Sequence, residues 1–191
     1  MQSPFCALKS PRIRRFWSIR DGSVKYNDMS RRPIQDQDRP AIADFIEKHW
    51  HSKKVMSRGK AYFPHEQEGF IEWRDGQIVG LLTMAYQDDA LEVLTLNSML
   101  EGERIGSALM LQAIDDARHR DIDRIWLTTT NDNVNAIAFY QKLGFRMTAV
   151  HLGVVDEARK TKPEIPKVGH EGIRIRDEVV FELPIKAFLD D

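Results

Sequence analysis

The sequence predicts a mixed α/β fold, and three patterns lead to this prediction. Between residues 70 and 96, three apolar stretches are separated by turn residues, which predicts three antiparallel strands in a row. After residue 104, apolar residues recur at intervals of three and four, which predicts a long amphipathic helix. Strand and helix patterns then alternate up to residue 183, which is typical of a mixed α/β sheet.

The first half of this fold combines one helix with the three strands. Asp36 or Asp38 suits the N-cap of the helix, and Pro40 suits its first turn. Residues 49–64 are predicted to form a loop, and Asp75-Gly76 is a strong hairpin signal between two strands. The elements expected here are an extended piece at 31–34, the helix after Asp36, and strands at 70–74, 78–86 and 91–96.

The second half alternates helices with single strands. The amphipathic helix begins near Ile105 and ends near His119, and a shorter helix follows the capping residues 131–133 and stops at Gly144. Residues 156–176 contain two prolines and are predicted to be an irregular excursion. Strands are expected at 125–130, 145–152 and 179–183.

Composition narrows the classes of function. The chain has 191 residues, 42% of them hydrophobic and 30% charged, with a net charge of −1, which is ordinary for a globular domain without nucleic acid as a partner. No apolar run approaches the roughly 20 residues that span a bilayer, so no membrane association is expected. The single cysteine, Cys6, excludes an internal disulfide and fits a cytoplasmic location. His49 and His51 lack a third ligand nearby, so no metal site is predicted.

The first 29 residues are predicted to be a poorly ordered basic extension, and residues 30–191 the folded domain. Eight basic residues and only two acidic ones lie within the first 32 positions, and no periodic pattern begins before Ser30. Two alternatives are a basic leader that contacts nucleic acid or a membrane surface, and an arginine-rich transit segment.

The join between the third strand and the long helix has the form of an anion site. A strand ends near residue 96, a short turn with glycine follows, and a helix begins with Gly106-Ser107-Ala108. The first backbone N–H groups of a helix have no partners within it, and the helix dipole adds positive charge there. Such a helix start binds a pyrophosphate, although glycines at strand–helix turns are commonly structural.

A second motif, residues 133–145, carries a family resemblance. Asn133 is followed by Ala136 three positions on and by Tyr140 four further, and Gly144-Phe145 closes the segment. This pattern resembles the second coenzyme A motif of the GCN5-related N-acetyltransferase (GNAT) superfamily, and the order of elements from 31 to 183 matches as well. The resemblance implies a GNAT-type fold, a mixed and mainly antiparallel central sheet flanked by helices. The excursion at 158–178 further resembles a largely uncharacterised bacterial subgroup of these enzymes.

The resemblance also implies which residues hold acetyl-CoA. The end of the third strand pairs through its backbone with the pantetheine arm, backbone donors at the helix start hold the pyrophosphate, and the second motif contacts the cofactor. The residues in these three groups are Leu94, Thr95, Leu96 and Asn97; Arg104, Ile105, Gly106, Ser107 and Ala108; and Asn133, Ala136 and Tyr140. The pyrophosphate loop departs from the family pattern, because Glu101 replaces its first basic or amide residue and Arg104 its first glycine.

Two residues are candidates for the chemistry. Tyr140 occupies the position where the family often has a general acid that protonates the leaving thiolate, and its alternative role is a core aromatic. Glu92 lies where the family often has a base for the amine, and burial among apolar neighbours would raise the pKa of such a carboxyl. A solvent-facing position for Glu92, with a water relay in place of a base, is the alternative.

The acceptor is the part that the sequence defines least. The resemblance implies contacts from the first helix, the following loop and the C-terminal strands, with Trp50, Arg58, Arg159 and Glu178 as the chief candidates and His51, Ser57, Tyr62 and Lys162 as further ones. The predicted reaction is direct attack by an amine of a small molecule or protein, because Cys6 lies outside the domain and cannot carry an acetyl group. The alternative is an acyl-CoA-binding sensor without turnover. The protein is expected to be a monomer or homodimer.

Overall fold

The computed structural model describes residues 31–87 and 89–185. The predicted basic extension at 1–29 lies outside these residues, as does Asp88 of the turn before the third strand. The described chain divides into two compact units, one of residues 31–124 with 184–185 and one of residues 125–183. Both units combine helices with mainly antiparallel strands, which confirms the predicted mixed α/β class.

The first unit contains the predicted helix, the three consecutive strands and the long helix. A small additional hairpin, β2–β3, lies in the segment predicted to be a loop, so that prediction is wrong in part. The larger sheet has the strand order β1-β4-β5-β6, with every neighbouring pair antiparallel. The elements are β1 (Arg31–Pro33), α1 (Arg39–Trp50), β2 (Val55–Ser57), β3 (Lys60–Tyr62), β4 (Glu68–Arg74), β5 (Gln77–Gln87), β6 (Ala90–Ser98) and α2 (Ile105–His119).

The two helices of this unit pack on opposite faces of its sheet. Ile42 and Ile46 of α1 form a core with Leu81 of β5 and its neighbours. The preceding residue in the strand, Gly80, faces α2, since successive residues of a strand point to opposite faces. A Cβ atom at Gly80 would lie 2.5 Å from Cγ2 of Ile105, so glycine at this position lets α2 approach the sheet closely.

The start of α1 differs from the predicted capping arrangement. Asp38 occupies the N-cap position, but its carboxylate makes no capping hydrogen bond to the helix. It accepts hydrogen bonds from the backbone N–H of Gln35 at 2.8 Å and from Arg32 at 2.6 and 2.8 Å. The Arg32 guanidinium lowers the pKa of the Asp38 carboxyl. Asp38 therefore ties the entry of the helix to β1 instead of capping the helix.

The predicted hairpin turn between β4 and β5 is confirmed. Asp75 has φ of 49° and Gly76 has φ of 73°. Two consecutive residues with positive φ are the arrangement of a type I′ turn, whose twist matches that of the two strands it joins.

The second unit contains a helix that the sequence did not predict. Residues 154–161 are helical, although 156–176 was expected to be irregular; Pro163 and Pro166 follow the helix and do not interrupt it. The strand order of this second unit is β7-β9-β8, with β8 and β9 antiparallel. The elements are β7 (Arg124–Thr130), α3 (Val134–Lys142), β8 (Arg146–His151), α4 (Val154–Thr161) and β9 (Glu178–Pro184). No helix in the described part of the chain is long and apolar enough to cross a membrane.

Candidate active site

A β-bulge interrupts β6 at the first of the predicted cofactor-binding residues. Thr83 pairs with Thr95 and Met84 pairs with Val93, so Leu94 is the extra residue between them. A bulge residue stands outside the regular ladder of hydrogen bonds and bends its strand. The position predicted to bind the pantetheine arm is therefore one where the strand departs from regular pairing.

The same bulge decides which face of the sheet Glu92 occupies. Thr83 and Ala85 lie on one face of β5, and their partners on β6 are Thr95 and Glu92. Glu92 and Thr95 are three residues apart, and in a regular strand such residues point to opposite faces. The extra residue at Leu94 brings both onto the face that α1 covers. The hydroxyls of Thr83 and Thr95 lie 2.8 Å apart there and form a buried hydrogen bond.

Glu92 is buried, with 1% of its surface exposed, and two neutral donors contact one of its oxygens. Its Oε2 accepts a hydrogen bond from the Tyr62 hydroxyl at 3.1 Å and from Nε2 of Gln87 at 2.8 Å. Burial and the adjacent Glu92 carboxylate raise the pKa of Tyr62 to about 12. The structure thus brings together Glu92, Tyr62 of the small hairpin and Gln87 at the end of β5.

Among the buried polar atoms of the first unit that lack a hydrogen-bond partner in the described chain, two lie on β2 and β6. They are Oγ of Ser57, on the buried side of β2, and Oδ1 of Asn97, near the end of β6. Buried polar atoms are nearly always satisfied in native proteins, so an exception marks a place for a water molecule or a ligand. Both residues were candidates from the sequence.

The start of α2 has the geometry of an anion site. Arg104 is the N-cap in a left-handed conformation, with φ of 56° and ψ of 20°. The first hydrogen bond of the helix runs from the N–H of Ala108 to the carbonyl of Arg104, at 3.0 Å. The N–H groups of Ile105, Gly106 and Ser107 therefore precede the helical ladder and are available to an anion.

Both glutamates of this loop, Glu101 and Glu103, are exposed to solvent. Glu103 accepts a hydrogen bond from Nη1 of Arg74 at 3.1 Å, and Glu101 is exposed. Arg74 also pairs with the buried Glu72, at 2.8 Å. Two acids beside a diphosphate would repel it, and for Glu103 the Arg74 side chain of β4 provides a counter-ion.

In the second unit, Asn133 and Tyr140 stand at opposite ends of α3. Asn133 is the N-cap of the helix, and its Oδ1 accepts a hydrogen bond from the N–H of Ala136 at 3.2 Å, which confirms the predicted capping. Tyr140 is buried among the rings of Phe139, Phe145 and Phe181, with centroids 5.2 to 5.8 Å away. Burial raises the pKa of Tyr140 to about 12.

The candidate acceptor residues are dispersed. Trp50 ends α1 and is 42% exposed, and Arg58 lies exposed in the β2–β3 turn with φ of 45°. In the second unit, Glu178 begins β9 and is half-buried.

The Arg159 guanidinium makes hydrogen bonds within its own unit, and the predicted contact with an acceptor stays a prediction. The guanidinium donates to Asp156 at 2.5 Å, to the carbonyl of Ile165 at 3.1 Å and to that of Pro166 at 2.7 Å, and a fourth hydrogen bond reaches the carbonyl of Ile175. These contacts hold the segment after α4 and engage every nitrogen of the side chain.

Gln87 is the residue of this cluster that the sequence did not indicate. A glutamine at the end of a strand carries no motif, and its partner Glu92 lies beyond a turn. The one available signal was alternation, which places Gln87 on the same face of β5 as Thr83 and Ala85.

Comparisons with known proteins identify the family. The model of the Acetyltransferase (GNAT) family matches residues 29–145, and the chain belongs to this family. The uncharacterized protein YdhI of Bacillus subtilis (strain 168) is 43% identical over 141 residues, which cover 73% of this chain and 88% of YdhI. The chain is thus an acetyltransferase of the GNAT class, similar to an uncharacterised bacterial subgroup.

Solved structures show the same fold at low sequence identity. The IAA acetyltransferase from Bacillus cereus ATCC 14579 is similar with a TM-score of 0.60 and 18% identity, over 81% of this chain and 97% of that one. A GNAT family acetyltransferase from Elizabethkingia anophelis with acetyl-CoA bound has a TM-score of 0.58 and 15% identity, over 83% of this chain and 99% of that one. The roles assigned above to individual residues stay predictions.

Proposed function

We propose that this protein is an N-acetyltransferase that moves the acetyl group of acetyl-CoA to a primary amine of a small molecule or protein by direct attack. The observation that carries the proposal is the strand β6. A buried carboxylate and a bulge lie in this strand, at Glu92 and Leu94, and the helix start at Arg104 to Ser107, proposed to bind the pyrophosphate, follows the strand along the chain. This order matches the needs of the reaction, in which a base, the thioester and the phosphates of the donor lie in sequence.

The donor fits residues of the first unit. The N–H groups at the start of α2 would bind its pyrophosphate, and the backbone of residues 94–97 would pair with its pantetheine arm. Acetyl-CoA supplies an acyl thioester, and the extra residue at Leu94 offers backbone polar groups to it. Asn133 and Ala136 of the second unit are proposed as further contacts, with the Asn133 side chain also serving as the helix cap.

The acceptor amine must lose a proton before it attacks the thioester. Glu92 is proposed as the base, because its carboxylate is buried and is surrounded by hydrogen-bond donors that carry no charge. In such a place a carboxylate can take a proton from an ammonium group that comes within hydrogen-bond distance. The amine nitrogen then bonds to the carbonyl carbon, and the bond from that carbon to sulfur breaks.

The departing thiolate needs a proton, and Tyr140 is proposed as its donor. The raised pKa of Tyr140, about 12, keeps the phenol protonated at neutral pH. Because this pKa lies above that of an ordinary thiol, about 8.5, the phenol would donate its proton as the carbon–sulfur bond breaks and negative charge develops on the sulfur. The rings of Phe139, Phe145 and Phe181 pack around the Tyr140 ring and restrict its orientation.

Arg104 is the observation that favours the alternative function, an acyl-CoA sensor without turnover. Its left-handed conformation costs a residue with a Cβ atom roughly 1 kcal/mol relative to glycine, at the loop that binds the phosphates.

One assay separates the two functions. The purified protein is incubated with acetyl-CoA and a panel of primary amines, and free thiol is followed with a colorimetric reagent. Turnover with at least one amine is the expected result. Calorimetric binding of acetyl-CoA with no thiol release on any amine would establish the sensor, and absence of both would refute the donor assignment.

A further inference from the structure

The hydrogen bonds around Glu92 are unequally divided between its two oxygens. Oε2 accepts from Tyr62 and from Gln87, and Gln87 donates a second N–H to the Tyr62 hydroxyl at 2.6 Å. The three side chains therefore form a closed triangle. Oε1 accepts no hydrogen bond from any residue that the structure describes.

We infer that Tyr62 and Gln87 are positioning residues, which fix the Glu92 carboxylate so that Oε1 receives the proton of the acceptor ammonium group. This inference rests on the proposed function. In the step concerned, an N–H bond of the ammonium breaks and an O–H bond forms at Oε1, which leaves a neutral amine and a neutral carboxyl. The amine is then the nucleophile for the thioester.

Two properties of this triangle suit Tyr62 and Gln87 to the positioning of the Glu92 carboxylate. Two hydrogen bonds to one oxygen fix both the rotation and the plane of the carboxylate, since Gln87 and Tyr62 come from separate elements, β5 and β3. Neither donor competes for the proton. Gln87 has no titratable group, and the phenol of Tyr62 keeps its proton because its pKa is about 12.

The charges near the triangle are few. Tyr62 is the titratable group in contact with Glu92 from the small hairpin, and Gln87 contributes no charge from β5. Lys60, on the same strand as Tyr62, places its ammonium 4.8 Å from the centroid of the Tyr62 ring. Loss of a Gln87 or Tyr62 hydrogen bond therefore removes stabilisation of the ionised carboxylate, and no cation among the described residues pairs with the same oxygen.

The test uses Gln87→Leu and Tyr62→Phe, with Gln77→Leu as the matched control. Gln77 lies at the opposite, exposed end of the same strand. Each protein is assayed by thiol release with acetyl-CoA and the amine of the panel that the unchanged protein acetylates fastest. Each test variant should lower kcat/KM for the amine about tenfold and move the acid limb of its pH profile to higher pH, with the affinity for acetyl-CoA unchanged. The control should match the unchanged protein.

A variant that lacks the proposed base distinguishes a positioning role of Gln87 from general damage to the structure. In Glu92→Gln, a further Gln87→Leu change should have no added effect on the rate, because a positioning residue acts through Glu92. An equal loss in both backgrounds, or an unmoved pH profile in both single variants, would overturn the inference while leaving the proposed function in place. Thermal unfolding shows which variants fold. No thiol release by the unchanged protein on any amine would refute the proposed function and this inference with it.

Discussion

Gly80→Ala tests whether the close approach of α2 to the sheet supports the donor site. An alanine Cβ would stand 2.5 Å from Cγ2 of Ile105 and 3.1 Å from Cδ1 of Leu109, where ordinary contacts begin near 3.4 Å. The first turn of α2 must therefore move by roughly 1 Å or its side chains must leave their rotamers, at a cost of about 1–3 kcal/mol. For a chain of this size, that corresponds to a fall in Tm of about 2–12 °C.

The consequence for function follows from the position of Ile105. It is the first residue of α2, and the N–H groups proposed to bind pyrophosphate belong to it and to the next two residues. A displaced first turn should weaken acetyl-CoA binding several-fold, measured by calorimetry, in the same variant that loses stability. Hydrogen bonds that depend on preorganised donors lose strength when the donors move.

A second substitution provides the control. Ile105→Ala removes the atom that the new methyl group would meet, so the double variant should be more stable than the sum of the two single effects predicts. Equal Tm values for Gly80→Ala and the unchanged protein, within one degree, would refute the packing argument. A loss of stability with acetyl-CoA affinity unchanged would refute the link from packing to the donor site.

Four further predictions concern single side chains. Glu92→Gln should lower kcat/KM for the amine about 100-fold or more without weakening acetyl-CoA binding, and an unchanged rate would exclude Glu92 as the base. Tyr140→Phe should lower kcat by about 100-fold with donor affinity retained; an unaffected rate would remove Tyr140 from the mechanism. Arg74→Ala should weaken acetyl-CoA binding because it frees the Glu103 carboxylate, and adding Glu103→Gln should restore the affinity, as calorimetry can check. Ser57→Ala should leave Tm unchanged or raised, since it removes an unsatisfied buried hydroxyl, and should raise the KM for the amine; a lowered Tm would show that the hydroxyl has a partner.

Long regular patterns were predicted closely from the sequence. Helix α2 runs from Ile105 to His119, as expected, because its apolar repeat continues over four turns and fixes one buried face. The turn at Asp75-Gly76 was equally clear, since few residues tolerate two successive positive φ values. Short elements were missed. The hairpin of β2 and β3 has three residues in each strand, too few for alternation to be visible.

The sequence by itself indicated the family, which the comparisons confirm, because the resemblance rests on residues close together in the chain: a capping asparagine, a tyrosine seven residues on and a closing glycine. Only the tertiary structure decided which side chains point to the same face of the sheet and which residues they contact. Simple alternation puts Glu92 and Thr95 on opposite faces of their strand, and the bulge at Leu94 puts them on the same one. Contacts between distant segments likewise gave Arg159 its hydrogen bonds and brought Gln87 and Tyr62 to Glu92. The sequence gives the chemical type of each side chain. Its contacts depend on residues that are distant in the sequence and come together only when the chain folds.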